Sequence, residues 1–379
     1  MRPIFKTDYG QDIKLMRHGG HWWAYGTLFL LVVLAPLAIG SYLQSQIVFV
    51  FIYSIVGVGL LILAGFTGQV SLGHAAFLAI GAYTAGYMQR LGVPFLVYLP
   101  LSVIISGVVG ALVGFPALRL AGIYLVIATI AFGFIAEEVA ARWESVTNGN
   151  DGLRIRPIVM FGTTLSREGH AFYYLCLGLL VVVMLLALNI LRSPTGRAFV
   201  AIRDSETAAK SLGVNLSVYK VAAFSISAAI TGLAGCLYAH KLSFISPEMF
   251  TLLLSLEFVI VILIGGVGSL HGAVLGSIFV VMVDPFLSFL KDDVPRAVGQ
   301  AAHTLGFAGA VTDTLAAIGG AAGLKGAIYG VIIIVFIIFE PYGLYGRWLK
   351  IKLYFELFPL YKKATFKRQK TYVKSERDR

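Results

Sequence analysis

Residues 193–220 read SPTGRAFVAIRDSETAAKSLGVNLSVYK, the one long polar interval between two strongly apolar halves. Ser193-Pro194 predicts a helix start, with Ser at the N-cap and Pro at the first helical position. A second start follows at Asp204-Ser205, where either side chain can accept from a free backbone N–H. The short helix after it carries Ala208, Ala209 and Leu212 on one face, and Gly213 is a stop. One or two turns are not stable alone. This helix needs a surface to lie against, and the expected surface is another protein. Arg197, Arg203, Lys210 and Lys220 keep the interval in water, on a positively charged side.

What flanks the interval decides the class. Mean hydropathy is +0.85 and only 13% of the 379 residues are charged, against about 25% in a soluble chain. So much apolar surface does not fit inside a water-soluble fold, and the chain reads as an all-α polytopic membrane protein. Spanning a bilayer takes about 20 apolar residues as a helix, and backbone groups in lipid must pair within their own segment. Continuous apolar tracts also exclude an outer-membrane barrel, whose strands alternate in and out.

Ten apolar segments are expected, at roughly 22–42, 46–64, 71–88, 95–115, 122–139, 171–191, 219–240, 251–264, 272–287 and 327–341. With the amino terminus inside, 21 of the 30 Lys and Arg residues fall on the inner side and nine on the outer. That excess puts both termini and residues 192–220 in the cytoplasm. Residues 1–21 form a polar cytoplasmic lead-in without the apolar core of a signal peptide. Residues 22–346 form the membrane domain, and residues 347–379 a basic cytoplasmic tail.

Two outer intervals are long. Residues 140–170 contain the turn-rich TNGNDGL, Thr147–Leu153. Residues 288–325 are rich in Gly and Ala; Val298, Ala301, Ala302 and Leu305 predict a short surface helix there. In the tail, Trp348, Tyr354, Phe355 and Phe358 lie among cations, which suits a headgroup boundary and anionic lipid rather than nucleic acid.

Two apolar tracts are broken in related ways. Gly65–Gly68 is followed by Gln69, Ser71, Gly73 and His74, and Thr67 lies within the break. In the other half Gly265, Gly266 and Gly268 are followed by Ser269 and His271. Paired glycine interruptions in corresponding positions point to a central solute path, whose polar members would be Thr67, Gln69, Ser71, His74, Ser269 and His271. Close helix packing is the other reading of the glycines, and packing is the ordinary role of both histidines. Glu257 sits between apolar neighbours, so it either is protonated or has a partner: part of the solute, or a hydrogen-bonding group on a neighbouring helix. Cys176 and Cys236 lie in apolar segments, with no disulfide or metal spacing. The sequence has neither a GxxxxGK[ST] phosphate loop nor HExxH. If ATP drives this protein, another subunit binds it.

Several long stretches carry a resemblance. GFTGQVSLGHAAFLAIGAYTAG (65–86), TNGNDGL, IRDSETAAKSLGVN (202–215), LIGGVGSLHGAVLG (263–276) and FEPYGLYG near the end stand in the order found in one family. Over residues 46–346 the chain resembles the branched-chain amino acid type of ABC importer permease, specifically its M-type membrane subunit. The resemblance implies a heterodimer with a second related permease, two ATPase subunits holding ATP and Mg²⁺, an external solute-binding protein, and the inner membrane of a prokaryote. No cofactor is then bound by this chain itself. The resemblance also makes Arg203, Asp204, Ser205, Glu206, Ala208, Ala209 and Gly213 the coupling element that an ATPase grips. The implied solute is a branched-chain amino acid, with urea, short amides or aromatic acids as alternatives within the family. A stand-alone channel or ion-coupled carrier is the rival of another class, and a membrane enzyme is the least supported.

Overall fold

A computed structural model of the chain describes residues 19–118, 120, 122–160, 162–288, 324–339 and 343–357. Each of the ten apolar segments is a helix. In chain order they are α1 (Gly19–Ala38), α2 (Ser41–Leu60, prolonged by a π-turn, Leu61–Phe66), α3 (His74–Arg90), α4 (Phe95–Ala117) and α5 (Ile123–Arg142). After the short α6 (Glu144–Thr147) come α7 (His170–Arg192), the polar helices α8 (Pro194–Asp204) and α9 (Glu206–Ser211), and α10 (Leu216–Leu242). The chain continues with α11 (Leu252–Gly265), α12 (Leu270–Ser288), α13 (Leu324–Phe339) and α14 (Gly343–Leu357). Among the described residues, seven helical segments are long and apolar enough to cross a membrane. Of the other three, α3 and α13 have 17 and 16 residues, and the apolar stretch of α1 is Tyr25–Ala38. Leu96, Ile104, Leu112 and Phe115 of α4, and Ile123, Ile127 and Phe134 of α5, lie open on the surface. Hydrocarbon solvates such rows and water does not, so the all-α polytopic membrane fold stands.

Helix α10 runs through the middle and packs on α4, α3 and α2. Small residues set the spacing. A Cβ on Gly81 of α3 would run into the Gly232 carbonyl of α10, and Gly107, Gly110 and Gly114 of α4 face Ala229, Ala228 and Phe224. With no hydrophobic drive between helices in lipid, this close backbone approach is how they gain contact.

At one end two antiparallel ribbons close the bundle. Strand β1 (Leu153–Arg154) pairs with β4 (Phe244–Ile245), and β2 (Ile158–Met160) with β3 (Thr163–Leu165). TNGNDGL does turn sharply, with Asn148 at φ 62° and Gly152 at φ 69°. Thr147 Oγ1 donates toward the Ala140 and Trp143 carbonyls and accepts from Gly149 N–H, and Asn148 Nδ2 donates to Gly152 O. The sequence marks only the turn-rich run here; strands of two or three residues carry no period by which to find them.

Boundaries moved for local reasons. The first expected segment divides at Gly40, so Tyr42 belongs to α2. The helix expected to stop at Ala64 winds on through Gly65 as a π-turn, and α3 starts at His74 rather than Ser71. The division expected between membrane domain and tail falls inside α14. The surface helix expected over 298–305, the rest of the 288–325 interval between 289 and 323, the lead-in before 19 and the tail after 357 lie outside the described residues.

Candidate functional site

The polar interval folds as two helices with a sharp corner between them. Ser193 has the N-cap backbone conformation and Pro194 follows it. Its hydroxyl, however, donates back to the Ile190 carbonyl at 2.6 Å. The expected side-chain cap is therefore absent; the hydroxyl satisfies the last turn of α7 instead. At the second start Ser205 is the cap, accepting from Ala208 N–H at 3.3 Å. Asp204 is taken by Arg203, whose Nε and Nη2 lie 3.1 and 3.0 Å from Oδ1. Gly213, at φ 82°, ends α9: its N–H donates to Lys210 O and Val214 N–H to Ala209 O. That is the Schellman arrangement, which needs a left-handed residue.

The face expected to carry Ala208, Ala209 and Leu212 is divided. Ala209 is 1% exposed against the protein, whereas Ala208 is open and Leu212 is 81% exposed. A six-residue helix thus presents an uncovered apolar side to the surroundings.

Two polar links tie this segment to the bundle. Arg203 Nη1 donates to the Gly65 carbonyl at 3.2 Å, at the π-turn of α2. The same side chain covers Gly68, where a Cβ would come 3.2 Å from Arg203 Cγ. Glu206 pairs with Lys220 at 2.7 Å. Lys220, which the sequence places among the cations kept in water, is only 6% exposed. Helices α9 and α10 form a hairpin across Gly213, which folds Lys220 beneath Glu206 and out of water. No sequence spacing marks that pair.

Hydrogen bonds divide the expected path residues into three groups. In the first, Gln69 Nε2 donates to Thr67 Oγ1 at 3.1 Å and Thr67 Oγ1 donates to Leu63 O. Ser71 Oγ accepts from Gly73 N–H at 3.3 Å, and His74 Nε2 meets Ser227 Oγ of α10 at 2.8 Å. All four side chains are buried. The break is held further by Leu72 N–H to Thr129 Oγ1 and Ala75 N–H to Ser255 Oγ. Ser227, Thr129 and Ser255 escape sequence reasoning, because single hydroxyl residues in apolar helices look like packing. Gln69 Oε1 and His74 Nδ1, like Ser54 Oγ and Tyr83 Oη, are buried without a partner among the described residues. A small cleft beside this knot is lined by Leu72, Ala75, Phe134, Phe250, Thr251 and Ser255.

The second group lies at the other break. Ser269 Oγ accepts from Gly272 N–H at 3.4 Å, and His271 Nε2 lies 3.0 Å from Tyr25 Oη of α1 and stacks on Tyr345 of α14. Gly266 and Gly268 turn the chain with φ of 115° and 117°. A Cβ on Gly265 would strike the Gly272 carbonyl and one on Gly65 would lie 3.5 Å from Gly268 N, so the paired breaks meet at the end where Arg203 sits. The third group is Glu257, which accepts from Tyr53 Oη of α2 at 3.0 Å. Among the described residues no group of His, Cys, Asp or Glu is placed to hold a metal ion.

A family profile described as "Branched-chain amino acid transport system / permease component" matches residues 42–312. The high-affinity branched-chain amino acid transport system permease protein LivM of Salmonella typhimurium is 37% identical over 255 residues, 61% of this chain and 60% of that protein. LivM of Escherichia coli is 35% identical over 279 residues, 67% and 66% of the two chains. A probable branched-chain amino acid transport permease protein LivM of Methanocaldococcus jannaschii is 28% identical over 200 residues, 52% and 58%. The chain thus spans about 60–66% of the length of the first two relatives. No solved structure matches it.

Proposed function

The chain belongs to the family of branched-chain amino acid transport system permease components, and we propose that it is the membrane subunit of an ATP-driven importer for branched-chain amino acids. It pairs with a second, related permease, takes solute from an external binding protein, and is driven by two ATPase subunits that hold ATP and Mg²⁺. It hydrolyses nothing itself. It lies in a prokaryotic inner membrane with α8, α9 and both termini on the cytoplasmic side, a reading supported by the excess of Lys and Arg there.

The observation that carries this reading is the exposed side of α9, where Ala208 and Leu212 are uncovered on a helix too short to stand alone. A groove on an ATPase subunit is its partner. When the ATPase subunits close, α9 moves with them. The displacement enters the bundle through Arg203 at the Gly65 carbonyl and through Glu206 at Lys220, at the start of the central helix α10. The Arg203 link ends at the paired glycine breaks, where Thr67, Gln69, Ser71, His74, Ser269 and His271 line the way through.

The test is purification with the co-expressed neighbours. Leu212→Asp and Ala208→Asp put a charge on the uncovered side without a clash, and each should lose the ATPase subunits while keeping the second permease. Full ATP-coupled uptake after deletion of Arg203–Gly213 would refute the coupling role, and solute transport by this chain alone in liposomes would favour a channel or carrier.

A further inference from the structure

Glu257 stands in an unusual setting for a membrane-spanning helix. Its carboxylate is half-buried and accepts from Tyr53 Oη at 3.0 Å. Phe258 packs edge-on to Tyr53 at 5.1 Å, and Phe49, one turn before Tyr53 on α2, meets Tyr238 edge-on at 6.3 Å. Tyr53 is the thirteenth residue of the 26-residue span Ser41–Phe66, so it stands at the middle of that apolar segment. Glu257, Tyr53, Tyr238 and Phe49 are each partly open. An ionisable side chain that is open at this depth does not face hydrocarbon; it faces a wet path or a binding partner.

A carboxylate walled by aromatic rings is the chemistry that recognises an ammonium ion: charge-assisted hydrogen bonds from N–H to the carboxylate, and ring faces toward the remaining positive edge. We infer that Glu257, Tyr53, Tyr238 and Phe49 form the station that receives the protonated amine of an amino-acid solute. This rests on the importer reading and names what the path recognises.

The experiment uses the complete importer with its binding protein and ATPase subunits. Saturation-transfer NMR compares leucine with 4-methylpentanoate, which keeps the carbon skeleton and carboxylate and lacks the amine. Unaltered protein should prefer leucine by about ten- to a hundredfold, the range of a charge-assisted hydrogen bond. Glu257→Gln should level that preference and lower ATP-driven leucine uptake by a similar factor. Glu257→Asp should keep most of both, which loss of folding would not allow. An unchanged preference in Glu257→Gln, or leucine uptake at the full rate, overturns the inference and leaves the importer reading intact. Absence of ATP-dependent uptake by the unaltered complex would defeat the importer reading first.

Discussion

The Glu206–Lys220 pair gives an asymmetric prediction. At 2.7 Å and an effective dielectric of about 20, the Coulomb attraction is roughly 6 kcal/mol before desolvation is subtracted. The two ends differ: the Lys220 side chain is 7% exposed and that of Glu206 48%. Removing the lysine leaves a carboxylate that water can solvate, whereas removing the carboxylate leaves an ammonium under the hairpin. Breaking a fully buried pair costs about 3–5 kcal/mol and an exposed one about 0–1 kcal/mol. Glu206→Gln should therefore cost about 2 kcal/mol and Lys220→Met under about 1 kcal/mol, both as opening of α9 from the bundle. Lys210, exposed on α9, is a built-in trypsin site, and its cleavage rate reports the population of the opened hairpin. The rate should rise about 10–30-fold in Glu206→Gln and only about threefold in Lys220→Met. The double variant Glu206→Gln/Lys220→Met should fall back toward the Lys220→Met value. Equal rates in both single variants would mean that the ammonium is solvated after all, and the brace would have to be abandoned.

Arg203→Ala removes the donor to the Gly65 carbonyl without touching the exposed side of α9, so the ATPase should still bind while solute carried per ATP falls severalfold in proteoliposomes. Gln69→Leu and Ser269→Leu should each impair uptake with assembly preserved, since the first removes a buried oxygen with no partner among the described residues and the second a hydroxyl at the paired break; normal uptake in both would remove them from the path. Gly265→Ala should lower the thermal midpoint or block assembly, because its Cβ would collide with the Gly272 carbonyl, whereas Gly26→Ala meets nothing within 4 Å and should be silent.

Much of the architecture was legible because lipid imposes a length. A run of about 20 apolar residues has few folded alternatives, and all ten expected segments are helices. The corner at Ser205 and the stop at Gly213 were legible for a different reason: capping and positive φ are local chemistry, confined to a few adjacent residues. What the sequence hid is tertiary. That Glu257 needs a partner followed from burial cost, yet nothing in the spacing named Tyr53, 204 positions away. Lys220 read as a solvated cation until the hairpin turned it inward. The π-turn at Gly65 is likewise invisible in composition: its glycine permits either a break or a continuation, and the Arg203 hydrogen bond to its carbonyl comes from 138 positions away.

The claim on which the rest depends is that an ATPase subunit covers α9. A photoactivatable cross-linker on Leu212→Cys, in inside-out vesicles holding the assembled importer, tests it most directly. The account predicts one dominant adduct, with the ATPase subunit, and a yield that changes when ATP is added. Adducts with water or lipid alone in a complex that still transports, or labelling of Leu212→Cys only from the outer face of the membrane, would contradict it.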